Sequence, residues 1–154
     1  MISLIINPDS IRVSKSKIST QIFSEIYFQL NDGTFFPEEK WDDFAVVILG
    51  WWLQEALSIN TDNKHIFNFM DGPYYLEVSL VDDFYMLTFI NDRYDEKKKI
   101  FSSPVEPRIF FSLLTTNANL LIRNIPAEAK GFKDVLELEK NLRLLQKHAR
   151  SFSK

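Results

Sequence analysis

The run from Phe35 to Leu80, FFPEEKWDDFAVVILGWWLQEALSINTDNKHIFNFMDGPYYLEVSL, holds all three tryptophans of the chain and changes its hydrophobic period partway along. In its first part Trp41, Phe44, Ala45, Ile48, Leu49, Trp52, Leu53, Ala56 and Leu57 recur at steps of three and four, which predicts a helix with a wide apolar stripe. Pro37, Glu38 and Glu39 carry the start signal for that helix, since proline suits the first position and acids the first turn. The second part alternates apolar and polar residues around Asp71-Gly72-Pro73, which predicts two strands and a turn. Neither a one-faced helix nor a one-faced hairpin is stable alone, so the pattern requires a shared core and predicts an α+β fold.

Val47 and Trp51 fall off the main stripe and are neighbours one turn apart, giving the helix a second apolar strip. Trp41 and Trp52 are expected in the core by their stripe position. Gly50, unfavourable in a helix interior by up to about 1 kcal/mol, predicts a close backbone approach there.

Three strands are expected in a meander, His65 to Met70, Tyr74 to Val81 and Phe84 to Arg93. If Asp82-Asp83 is a two-residue loop, Val81 opposes Phe84 and Glu77 opposes Thr88, with Leu76, Val78, Leu80, Leu87 and Phe89 inward. An even first loop sends Phe67 and Phe69 inward and leaves Asn68 outside, level with Glu77 and Thr88; an odd one inverts this. Leu4 to Ile6 and the alternating Ile22 to Leu30 bring the expectation to a mainly antiparallel sheet of about five strands, packed on the Trp-rich helix.

Two carboxyl-terminal helices complete the core. Ser103-Pro104-Val105-Glu106 has capping-box spacing before Phe110, Leu113, Leu114, Ala118, Leu121, Ile122 and Ile125, and Pro126 ends that element. From Phe132 to about Ser151, the apolar residues Val135, Leu138, Leu142, Leu145, Ala149 and Phe152 step by threes and fours. This stripe suits packing on its own domain better than a coiled coil with a second copy, so a monomer or weak homodimer is expected. Without repeats or a Pro/Gly/Ser linker, residues 1–154 read as a single domain.

Acidic residues outnumber basic ones by 21 to 18, for a net charge of −3, which argues against broad phosphate binding and so against a nucleic-acid partner. The basic runs, Lys97-Lys98-Lys99 and the group Arg143, Lys147, Arg150 and Lys154, read as a solvated loop and the basic end of a helix. No stretch reaches the roughly 18 apolar residues of a membrane span. The start, Met1 to Pro8, has no basic n-region and reads as a strand rather than a signal peptide. With no cysteine in the chain, the expected setting is the cytoplasm, without disulfides.

Catalytic signatures are missing. His65 and His148 are the whole histidine stock, and no Gly-x-Ser-x-Gly or His-Glu-x-x-His spacing accompanies them. His65, flanked by Asp62 and Asp71, reads as structural because the ligand count for a metal is missing. The carboxylate pairs Glu38-Glu39, Asp42-Asp43 and Asp82-Asp83 occupy helix-start and turn positions that favour acids locally. No cofactor, no metal and no catalytic residue is expected. The alternative from another class is a small enzyme or ligand-binding protein with a pocket near His65, Asp71 and Tyr74.

Trp41-Asp42-Asp43-Phe44 leading into Trp51-Trp52, followed by Phe67-Asn68-Phe69-Met70-Asp71-Gly72-Pro73-Tyr74, resembles small bacterial cytosolic proteins similar to immunity proteins of polymorphic toxin systems. The resemblance covers about residues 35 to 80. It implies a catalytically inert binding module that neutralises a toxin domain by direct contact. Those families share no universal site motif, so the resemblance assigns no residue. The residues themselves point to the solvent face of the meander, where the expected register sets Tyr75, Glu77 and Ser79 beside Met86, Thr88 and Ile90, with Tyr75 as aromatic anchor and Glu77 as a charge attracting a basic partner. Trp51, off the main helix stripe, is a second candidate anchor.

Overall fold

A computed structural model describes residues 1–15, 20–59 and 63–150. Asp62, Ser151, Phe152 and Lys154, which figure in the expectations above, lie outside the described residues. The described residues form an α+β fold with two antiparallel sheets and three α-helices. The first sheet is built on β3 (Thr20–Gln29), paired with β1 (Ser3–Ile6), β2 (Arg12–Lys15) and two short strands, β4 (Phe35–Phe36) and β5 (Asp42–Asp43). The second is a meander in chain order: β6 (His65–Asn68), β7 (Tyr74–Val81), β8 (Phe84–Arg93) and β9 (Glu96–Val105). The antiparallel strands are thus divided between two sheets rather than gathered into one of about five. β3 is paired along its whole length by its four partners, which leaves the meander to form a sheet of its own.

The Trp-rich helix, α1 (Ala45–Ala56), begins well after the position that Pro37, Glu38 and Glu39 predict. Between them the backbone forms a turn at Lys40, where φ is 62°, and then pairs with β3: Asp43 faces Ser24, Asp42 faces Glu25, and the Ile26 N–H donates to the Trp41 carbonyl at 2.8 Å. Sheet hydrogen bonds displace a helix start that local preference alone would allow, because propensity differences are a fraction of a kcal/mol per residue. Trp41 and Phe44 therefore lie outside the helix, and Trp41 is half-buried against Tyr74 rather than part of the helical stripe.

Leu57 caps the helix and is partly buried, while the stripe within α1 is buried as expected. Ala45, Ile48, Leu49, Trp52, Leu53 and Ala56 all point into one core shared by both sheets and all three helices. Its centre is aromatic: Phe28 of β3 stacks on Trp52 at 5.7 Å and meets Phe89 of β8 edge-on at 5.1 Å, while Trp52 meets Phe69 at 5.2 Å. The Trp52 Nε1–H donates to the Asn68 carbonyl at 2.7 Å, giving the buried indole the polar partner it needs. Helix α2 (Pro107–Asn124) inserts Phe110 between Phe67 and Tyr85, and α3 (Lys133–Arg150) buries Val135, Leu138, Leu142 and Leu145. The α3 stripe is thus spent on its own domain.

In the meander Val81 opposes Phe84 and Glu77 opposes Thr88, and Phe67 and Phe69 point inward. Asn68 faces outward but lies opposite Tyr75; the residue level with Glu77 is Ile66. The fourth strand, β9, was not expected. It absorbs Lys97-Lys98-Lys99 and Ser103-Pro104-Val105, so the lysines stand exposed on a strand and not in a loop, and Ser103 is buried in the sheet and not a helix cap. Helix α2 instead has Glu106 at its cap position and proline at its start.

Candidate protein-binding surface

The second sheet has two unlike faces. On the inner face Trp52, Phe110 and Phe28 cover Phe69, Phe67 and Phe89, so α1, α2 and β3 all lie on that side. The outer face carries no helix among the described residues. Its strands present Ile66 and Asn68 from β6, Tyr75, Glu77, Ser79 and Val81 from β7, and Phe84 and Met86 from β8. Ile66, Val81 and Phe84 expose 37%, 47% and 45% of their surfaces. Sheet faces left uncovered are normally polar, so apolar residues gathered on one are candidates for a docking surface.

Of the residues expected there, Tyr75, Glu77, Ser79 and Met86 are partly exposed and Trp51 is 46% exposed. Thr88 and Ile90 are corrected: they face the same side but are buried, at 8% and 3%. They sit on the central strand, flanked across the ladder by Glu77 and Ser102 and by Tyr75 and Lys99, and the Thr88 hydroxyl is bonded to that of Ser102 at 3.0 Å. They support the surface from below and offer little contact area. Glu77 is likewise not a free charge. Its carboxylate lies 3.8 Å from the Lys64 ammonium, and its side chain is only 17% exposed.

Trp51 is not an isolated second candidate. A depression of about 370 Å³ between α1 and the β6 edge is bordered by Trp51, Ser58, Ile66 and Asn68. Because Asn68 pairs with Tyr75 across the sheet, the surface runs without a break from Tyr75 past Asn68 and Ile66 to Trp51. Periodicity placed Tyr75 and Trp51 on the open faces of their own elements, but only the tertiary arrangement joins the faces through Asn68 and Ile66.

His65, Asp71 and Tyr74 do not form the pocket considered for the alternative reading. His65 pairs with Val78, four residues along β7 from Tyr74, a separation of about 13 Å at the usual strand rise. Its buried ring binds Glu55 of α1 through Nδ1 at 2.8 Å, with the imidazole N–H donating to the carboxylate. Tyr74 packs on Phe36 and Trp41, and the backbone N–H of Asp71 donates to Asp43. No group of three or more His, Asp or Glu side chains among the described residues is placed to hold a metal ion.

Asp43, expected with Asp42 as an acid at a helix start, instead lies in β5 and is a buried polar centre. It is wholly inaccessible, and its carboxylate accepts three hydrogen bonds: Oδ1 from the Phe44 N–H at 2.8 Å, and Oδ2 from the Trp41 Nε1–H at 3.0 Å and the Asp71 N–H at 3.2 Å. Burial pushes its pKa above the ordinary carboxylate value and the charge of Asp71 adds to this, while the three donors act in the opposite sense. The arrangement ties β5 and the start of α1 to the Asp71-Gly72-Pro73 turn, joining the two sheets. Both of its oxygens are engaged internally in a site closed to solvent, which suits a structural role rather than an acid–base one. Its neighbour Asp42 takes a two-pronged ion pair from Arg12 of β2.

No protein-family model, no curated protein and no solved structure matches the chain.

Proposed function

We propose that the protein is a binding module without enzymatic activity, and that it inhibits a partner protein by covering part of its surface, in the manner of the bacterial immunity proteins its central segment resembles. The observation that carries the reading is the uncovered outer face of the meander, where Ile66 and Tyr75 stand toward one end, Val81 and Phe84 stand exposed at the Asp82-Asp83 hairpin, and Met86 lies between beside Ser79. Exposed apolar side chains and an aromatic anchor interspersed with polar groups are the usual chemistry of protein recognition. Two polar groups that could do acid–base work, His65 and Asp43, are each held in internal hydrogen bonds. In this reading the setting is the bacterial cytoplasm, and no helix among the described residues is long and apolar enough to cross a membrane.

The test is co-expression with the protein encoded beside it. An immunity-type inhibitor forms a stoichiometric complex with that product and restores growth to cells the product arrests. Absence of both complex and rescue, with both chains folded, overturns the reading.

A further inference from the structure

Helix-interior glycine normally has a packing reason. At Gly50 of α1 the expectation of a close backbone approach is not met: a Cβ built there has nothing within 4 Å apart from the helix itself and its chain neighbours. The glycine therefore costs helix stability without admitting any other described part of this chain. The space above it is a groove of about 190 Å³ between α1 and α3. Trp51 and Gln54 border it from α1, and Asp134 and Glu137, one turn apart, border it from α3. No basic residue lines it, and neither carboxylate makes an ion pair among the described residues. At its floor Asn141, 9% exposed, donates through Nδ2 to the Gly50 carbonyl at 3.2 Å, while its Oδ1 accepts no hydrogen bond from a described residue.

We infer that this groove receives an arginine side chain of a protein partner. A guanidinium suits each feature at once. Its planar face stacks on an exposed indole, its fork of N–H donors matches carboxylates and an amide oxygen, and its charge complements Asp134 and Glu137. Gly50 keeps the space open for it. A lysine ammonium would satisfy the charges but not the stacking and forked geometry together. The inference deepens the binding-module reading and rests on it, for the groove borders the same Trp51 that ends the sheet surface.

The first test needs no partner. Nα-acetyl-arginine N-methylamide is titrated into the protein while the Trp51 indole and Gly50 amide signals are followed by ¹H–¹⁵N NMR. The citrulline analogue, equal in shape but uncharged, serves as control. The arginine compound should shift both signals saturably and the citrulline compound should not. Gly50→Ala should raise the melting temperature by about 2 to 4 °C, as a filled helix position does, and Gly50→Gln should abolish the shifts while remaining folded. Glu137→Gln should weaken binding by up to about fivefold, the scale of losing an exposed ion pair. Equal shifts from both compounds, no shifts, or binding unaffected by Gly50→Gln each overturn the proposal. With the natural partner in hand, a complex that forms equally well with Gly50→Gln rejects the groove and leaves the module standing. No complex with the wild type rejects the module, whatever the amide titration shows.

Discussion

Replacing Asp43 by asparagine changes one atom and preserves shape, so it isolates what the buried carboxylate contributes. The carboxylate satisfies two donors at Oδ2, from Trp41 and Asp71, and one at Oδ1, from Phe44. An amide has one acceptor end. Its better orientation keeps the oxygen on Trp41 and Asp71 and turns the NH₂ toward the Phe44 N–H, losing one bond and opposing two donors in a site with no solvent access. That should cost about 1 to 3 kcal/mol, and Asp43→Ala, which loses all three bonds, should cost about 3 to 5 kcal/mol. The pH dependence gives a second reading. Since the folded-state pKa is raised, the folded protein holds this proton more tightly than the unfolded chain. The stability difference between wild type and Asp43→Asn should therefore be largest below the unfolded value of about 3.9 and fall as pH rises through the folded-state pKa, then level off. Urea melts of both proteins at several pH values measure it. A difference that grows with pH would mean that the three donors outweigh burial, and a neutral substitution would refute the bridging role itself.

Trp52→Ala should cost about 4 to 5 kcal/mol, the upper part of the range for emptying a buried aromatic site, since it removes contacts to Phe28 and Phe69 and the bond to Asn68; Trp52→Phe, which loses the Asn68 bond but keeps an aromatic ring in the site, should cost clearly less in the same denaturant melts. Glu55→Ala should cost about 1 to 2 kcal/mol because it removes the Glu55 hydrogen bond from the buried His65 ring, and Glu55→Gln, which retains an acceptor, should recover most of that loss by calorimetric melting. A screen of hydrolytic and redox substrates should show no turnover. Activity that vanishes in folded His65→Ala would overturn that expectation.

Much of the architecture is readable from period alone. The stripe from Ala45 to Ala56 and the register of Tyr74–Val81 against Phe84–Arg93 follow from steps of three to four and of two, because burial of one face enforces both. What escaped was decided by backbone pairing at a distance. The acids after Pro37 look like a helix start, yet pairing of Asp42 and Asp43 with β3 delays the helix to Ala45. Strand β9 was hidden because its hairpin turns through Tyr94 and Asp95, both at positive φ, where glycine or asparagine would ordinarily announce the turn. Its three lysines resemble a loop but suit an edge strand, where charge discourages unwanted pairing. For the candidate surface, alternation located Tyr75, Glu77 and Met86 on the outer face. It could not show that neighbours bury Thr88 and Ile90, or that Lys64 pairs with Glu77.

The most direct measurement is calorimetric titration of the protein and of the double variant Ile66→Ser, Tyr75→Ala with the product of the adjacent gene. Both side chains are on the outer sheet face and neither belongs to the buried core, so the variant should melt within a few degrees of the wild type. Its affinity should fall by more than about 2 kcal/mol, roughly thirtyfold, as loss of a central anchor does. Unchanged affinity in this folded variant would contradict the assignment of partner binding to the open face of the meander.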